Sequence, residues 1–161
     1  MGGAVLLGDR SRRARIDLRG AELRETLVAR IQQWLEDPES SVEYAEEVEG
    51  RWAVRMRQQV RETTTVWFTI LERSLEYEAY VIPVPAAAIE ILRQALVRNQ
   101  RAWRAFFAID AEGDLLLRGR LPTDRVTLLE LDRVLGEIYE TIEVSFRPMV
   151  AVLTRSRENS G

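Results

Sequence analysis

The chain has no cysteine and no histidine, and all 23 of its basic residues are arginine, so lysine is missing too. Without cysteine there is neither a disulfide framework nor thiol chemistry. Without histidine there is no Ser-His-Asp or Cys-His triad, and no histidine-ligated zinc, iron or copper. Without lysine there is no P-loop, Schiff base or Ser-Lys dyad. Any catalysis would have to come from Asp, Glu, Arg, Tyr, Ser and Thr. Glycines are scattered singly beyond the N-terminus, so no Gly-rich phosphate cradle exists. No apolar run approaches the roughly 20 residues that span a bilayer. The arginines near the start follow the short Ala4–Leu7 apolar patch instead of preceding it, the wrong order for a signal peptide. These absences predict a cytoplasmic protein with no cofactor, and they narrow any enzymatic role sharply. A net charge of -3 gives no global nucleic-acid signature, and the all-arginine usage reads as genomic base composition.

What is present is sheet-forming. Thr63–Pro83 has the densest run of β-branched and aromatic residues, broken at Arg73-Ser74 as a hairpin would be. Val66, Phe68 and Ile70 share one parity, and pairing across the break sets Tyr77, Ala79 and Val81 beside them. The opposite parity is also apolar in part: Thr65, Trp67, Thr69 and Leu71 face Tyr80 and Ile82. Val42 to Gln58 reads as a second hairpin with Val42, Tyr44 and Val48 inward against Trp52, Val54 and Met56. A three-residue loop Glu49-Gly50-Arg51 would then put Val48 opposite Trp52, Glu43 opposite Arg57, and Glu47 diagonal to Arg55. Glu46 falls on the apolar parity and fits this scheme poorly.

Leu23, Leu27, Ile31, Trp34 and Leu35 recur at helical spacing, predicting a first helix from Asp17 to Glu36 that Asp37-Pro38 ends. Residues 1–15 read as a disordered basic tail. Pro85 suits the start of a second helix, with Ala88, Ile91, Leu92, Ala95 and Leu96 as its apolar face and an end near Asn99. A third hairpin follows: Trp103, Ala105, Phe107 and Ile109 alternate, as do Leu115, Leu117, Gly119 and Leu121. Its other face carries Arg104, Phe106, Leu116, Arg118 and Arg120. Thr127-Leu-Leu-Glu130 is a capping box for the last helix. Its stripe runs Leu128, Leu131, Leu135, Ile138, Ile142, Phe146, Met149, with a kink or restart expected at Pro148. Residues 155–161 read as a flexible tail. The order α-β-β-β-β-α-β-β-α joined by hairpins predicts one α+β domain over 16–154, with a mainly antiparallel sheet and three helices.

Two possible sites dissolve on inspection. Asp110, Glu112 and Asp114 imitate a calcium loop, but the glycine and glutamate that an EF-hand needs are Leu115 and Leu121. Glu76 and Glu78 alternate along one strand as a solvated face does, without converging as paired catalytic carboxylates must. The stronger signal mixes guanidinium and aromatic groups on the outward sheet parity: Arg55, Arg57, Trp67, Tyr80, Ile82, Arg104, Phe106, Leu116 and Arg118. Such a face fits contact with a protein partner or a second copy of the chain. Coverage by the chain's own second helix is a third reading. Alternatives from other classes are a small-metabolite enzyme using Arg and carboxylate chemistry, and stacking of single-stranded nucleic acid. The absent RNP consensus and the acids sharing the surface argue against the latter.

Leu23 to Val152 resembles the actinobacterial YbjN-type domain. The carrying segments are Thr65-Val-Trp-Phe, Tyr80-Val-Ile-Pro-Val-Pro85, Leu96-Val-Arg-Asn-Gln-Arg-Ala-Trp103, Phe107-Ala-Ile-Asp, Leu117-Arg-Gly-Arg-Leu-Pro122, Leu131-Asp-Arg-Val-Leu-Gly136 and Phe146-Arg-Pro148. The resemblance implies a fold similar to type III secretion chaperones, an α+β sandwich that commonly dimerises. It implies a non-catalytic regulatory or chaperone-like role in sensory or stress regulation, with no catalytic residue to carry over.

Overall fold

The computed structural model describes residues 4–161, with side chains from Arg19 onward. Three helices and six strands follow the expected order: α1 Ala4–Glu36, β1 Val42–Val48, β2 Arg51–Arg57, β3 Thr63–Ile70, β4 Ser74–Ile82, α2 Glu90–Asn99, β5 Phe106–Ile109, β6 Leu115–Pro122 and α3 Leu128–Glu158. The strands form one antiparallel sheet in the order β1-β2-β3-β4-β6-β5. The α+β class is as the sequence reads. The start of α1 is not, because its backbone is helical from Ala4 rather than Asp17. The side chains of the expected basic tail lie outside the described residues.

One parity of every strand packs under the helices. Phe68 lies between Trp34 of α1 and Tyr77 of β4, with ring centroids 6.4 and 6.2 Å away. Leu27 and Ile31 of α1, Val54, Val66, Ala79 and Leu117 of the sheet, and Leu131, Ile138 and Ile142 of α3 complete this core. α2 contributes Ile91 and Ala95 to the same core and docks on α3 beside β5. It does not reach the other sheet face, so its covering that face is ruled out. Leu96, expected inward, is 68% exposed, and Trp103 is 83% exposed.

The first hairpin corrects the register. Glu49 and Gly50 both have positive φ, 51° and 78°, the mark of a two-residue type I′ turn, which matches the twist of the flanking strands. Val48 therefore faces Arg51, and Glu47 faces Trp52. A register irregularity between Val42 and Tyr44 turns Tyr44 outward opposite Arg55, and Glu43, expected opposite Arg57, instead meets Arg55 at 3.0 Å. Glu47, on the helix side, takes two bonds from Arg24 of α1, at 2.9 and 2.6 Å. Glu46 lies outward and accepts a bond from Tyr44.

α3 runs on through Pro148 without restarting. The proline's missing N–H frees the carbonyl of Val144 one turn earlier, and Arg98 of α2 donates to that oxygen at 3.1 Å. The lost helical bond thus becomes a tie between two helices. Thr127 caps α3 as expected, accepting from the Glu130 N–H at 3.1 Å. The Asp110 turn is a plain hairpin loop: its carboxylate accepts from the N–H groups of Glu112 and Asp114.

Candidate functional site

The site is built on the sheet face that no helix covers among the described residues. Period-two alternation gives each strand one set of side chains for the helices and one for this face. Cross-strand pairing then arranges the second set in rows. One row runs Arg51, Thr69, Glu76, Arg120; the next runs Ala53, Trp67, Glu78, Arg118, Phe106. A third holds Arg55 beside Thr65, and farther along the sheet Tyr80 pairs Leu116. Tyr80 is 49% exposed and Phe106 42% exposed, both well beyond what a core aromatic shows.

The polar members are paired within the plane of the sheet. Arg51 donates to Glu78 at 2.9 Å and to Thr69 at 3.1 Å, while its guanidinium lies 4.7 Å over the Trp67 ring. Arg118 reaches the other Glu78 oxygen at 4.0 Å, and Arg120 pairs with Glu76. Arg55 stacks 5.0 Å over Tyr44 and pairs with Glu43. These four arginines share three glutamates, and Arg57 on the same face reaches only the Ser40 carbonyl among the described residues, so most of the positive charge that could track a phosphate backbone is already engaged. Ion pairs this exposed contribute at most about 1 kcal/mol each. Their consequence is to hold the arginine stems flat over the aromatic rings.

Seven of the nine residues singled out from the sequence lie on this face: Arg55, Arg57, Trp67, Tyr80, Phe106, Leu116 and Arg118. Two do not. Ile82 is buried on the helix side, because a register irregularity between Tyr80 and Ile82 reverses its parity. Arg61 sits at that point. It donates to the carbonyls of Tyr80 and Val81, both at 2.8 Å, and lies 5.0 Å over Phe146. Its guanidinium takes the place of the β3 residues that would otherwise continue the ladder, and burial lowers its pKa. Arg104 precedes β5 and turns toward α3, donating to Glu130 at 3.0 and 3.2 Å. Those bonds, with a further one from Arg133, hold the Glu130 carboxyl at about 2, well below its usual value.

Sequence reasoning missed the carboxylates of α3 that position the loops around the sheet. Glu137 accepts from the N–H groups of Trp103, Arg104 and Ala105 at 2.7, 2.6 and 3.2 Å. Glu143 accepts from Gln58 and from the Gln59 N–H at 2.6 and 2.7 Å. Burial pushes the Glu143 pKa up, but these bonds outweigh it and hold the group low. Their only sequence signal is that both lie near the apolar stripe of α3 without belonging to it.

Compared with known proteins, residues 27–149 match the model of the YbjN family, described as "Putative bacterial sensory transduction regulator". An uncharacterized protein of Mycobacterium leprae is 33% identical over 107 residues, covering 66% of this chain and 58% of that protein. The chain spans about half the length of the curated relatives it matches. Among solved structures, a chain of the HopA1–SchA chaperone–effector complex superposes with a TM-score of 0.54 at 14% identity, covering 78% of this chain and 94% of that one. YbjN from E. coli superposes with a TM-score of 0.51 at 15% identity, covering 77% and 91%. At these identities the superpositions show a shared secretion-chaperone-like fold. No helix among the described residues is long and apolar enough to cross a membrane.

Proposed function

We propose, from the premise that the chain belongs to the YbjN family, that it is a non-catalytic, chaperone-like protein-binding domain that works as a homodimer in sensory or stress regulation. The uncovered sheet face carries this reading. It is a layer built around Trp67, Tyr80, Phe106 and Leu116 in which most of the surrounding charges are paired with one another. A surface of aromatic rings and arginine stems is what protein interfaces enrich, and it loses little by desolvation when its charges are prepaired. The occupant assigned here is a second copy. The face carries both signs close together, with Glu76 and Glu78 on β4 beside Arg118 and Arg120 on β6. Rotation about a two-fold axis can therefore oppose each arginine to a glutamate of the partner. The chaperone–effector complex with the same fold supports the chaperone-like part of the reading. The absence of His, Cys and Lys supports the non-catalytic part.

Light scattering on the purified protein tests this reading. A dimer is expected at micromolar concentration, and Trp67→Glu or Phe106→Glu should convert it to a folded monomer. A strict monomer for the unaltered chain, or a dimer indifferent to both substitutions, removes the assigned interface.

A further inference from the structure

The two edges of the sheet are finished differently. At β5 the outward backbone is closed by side chains. Asn99 donates to the Phe107 carbonyl at 3.1 Å and accepts from the Phe107 N–H at 2.7 Å, while Glu137 accepts from the Ala105 N–H just before the strand. A strand arriving there would have to displace both. At β1, among the described residues, no hydrogen bond from outside the β1–β2 ladder reaches the backbone between Glu43 and Val48. In an antiparallel ladder, residues in hydrogen-bonded pairs alternate with residues whose N–H and C=O point away. Counted from Val48–Arg51, which closes the two-residue turn, Ala45 and Glu47 turn theirs outward.

The same stretch has an extreme charge. Between Glu36 and Gly50 there are seven acidic residues and no basic one. Arg24 holds Glu47 and Arg55 holds Glu43, which leaves five without an ion pair among the described residues. Glu46 and Glu49 are the two of these on the strand and its turn. Such charge disfavours a second copy, because antiparallel self-pairing of two β1 edges would gather the unpaired Glu46 and Glu49 of both strands along one seam, and like charges brought together destabilise a ladder. The repulsion that turns away an acidic strand attracts a basic one.

We propose that the β1 edge takes up an extended, basic segment of another protein as a seventh strand. Main-chain bonds to Ala45 and Glu47 would give affinity, and the unpaired acids would select for arginine or lysine at alternate positions. Main-chain pairing at this edge does not use the uncovered sheet face, although Glu46 projects from that side, so the proposal does not rest on that face forming the homodimer.

The test uses the full chain and three fluorescent peptides of about nine residues, roughly a strand's length with a margin. They are an alternating arginine–valine peptide, its glutamate–valine counterpart, and the arginine–valine peptide N-methylated at alternate amides. The arginine–valine peptide should bind by anisotropy, weaken as salt rises, and slow hydrogen exchange at Ala45 and Glu47. The glutamate–valine and N-methylated peptides should bind at least about tenfold more weakly, since one loses the charge and the other the ladder. In the Glu46→Arg, Glu49→Arg double variant, with an unchanged circular dichroism spectrum, the preference should move toward the glutamate–valine peptide. Equal binding of the N-methylated peptide would reduce the contact to charge alone and overturn the proposal. Failure of the arginine–valine peptide to bind, or protection appearing only at β5, would overturn it equally.

Discussion

Gly119 is the position where one added carbon should do the most damage. It lies opposite Tyr77 across the β4–β6 ladder, and the Tyr77 ring passes over it so that the hydroxyl donates to the Arg104 carbonyl at 2.7 Å. A Cβ built on Gly119 comes within 2.5 Å of Tyr77 Cε2 and 2.6 Å of its hydroxyl oxygen, and nearer still to the Arg104 carbonyl. Neither neighbour can retreat. The Tyr77 ring is buried against Phe68, and the Arg104 backbone is fixed by Glu137 through three N–H groups. Overpacking a rigid site costs roughly 1–3 kcal/mol, and breaking the buried hydroxyl–carbonyl bond adds about 1–3 kcal/mol. A loss of about 4 kcal/mol for Gly119→Ala would lower the thermal midpoint by roughly 8–16 °C for a chain of this length. Tyr77→Phe, which keeps the ring and removes only the hydroxyl, should show just the hydrogen-bond share. Calorimetry on the two single variants and the unaltered protein separates the contributions. A Gly119→Ala midpoint within about 2 °C of the parent would refute the clash as described.

Two further tests address the ties of α3. Because the Glu130 carboxyl is depressed to about 2 from an ordinary 4.5, its pairing with Arg104 stabilises the fold above pH 4.5. That stability is lost as pH falls from 4.5 toward 2. Glu130→Gln should therefore be less stable at neutral pH, by about 1 kcal/mol for a half-buried pair at the surface, with the gap closing near pH 2 in urea titrations; a gap independent of pH would contradict the pairing. Pro148→Ala restores the N–H that donates to the Val144 carbonyl, and should raise stability by about 1–3 kcal/mol. In that background Arg98→Ala should cost less than it does alone, and additive penalties in a double-mutant cycle would show that Arg98 does not cap that carbonyl.

The helices and strands were legible because their apolar spacing is set by one periodicity each, and burial in this fold reads those periods directly. Leu23, Leu27, Ile31 and Trp34 under α1, and Val66, Phe68, Tyr77 and Ala79 in the sheet, are the clearest cases. What escaped was governed by local counting or by distant partners. Reading a three-residue turn where Glu49-Gly50 make a two-residue one moved every partner along β1. The irregularities at Val42/Tyr44 and Tyr80/Ile82 each reversed a parity, and nothing in the side chains there announces the extra residue. Alternation put Arg104 on the outward face, whereas Glu130 and Glu137, the residues that claim it, lie on an element 26 and 33 residues away. For the same reason Trp103 and Leu96 looked like core. Alternation and helical spacing both admitted them, and only the tertiary placement of α2 on α3 left them outside.

The side chains that satisfy backbone groups follow a pattern that bears on function. Arg61 finishes the Tyr80 and Val81 carbonyls, Arg98 finishes Val144, Glu143 gathers the loop after β2, Glu137 gathers the one before β5, and Asn99 seals Phe107. All of these lie on the helix side or at the β5 edge, and the half-buried ones, such as the Val81 and Phe107 carbonyls, would be costly to leave unsatisfied. On the uncovered face, the arginines and glutamates pair with each other instead and leave the aromatic rings open. Along β1 no side chain among the described residues performs the sealing role, although that strand is nearly twice as long as β5, which Asn99 seals. A fold that closes one edge with a dedicated side chain and leaves the longer one unsealed is organised for contact at the second, and the acids beside it set what that contact must carry.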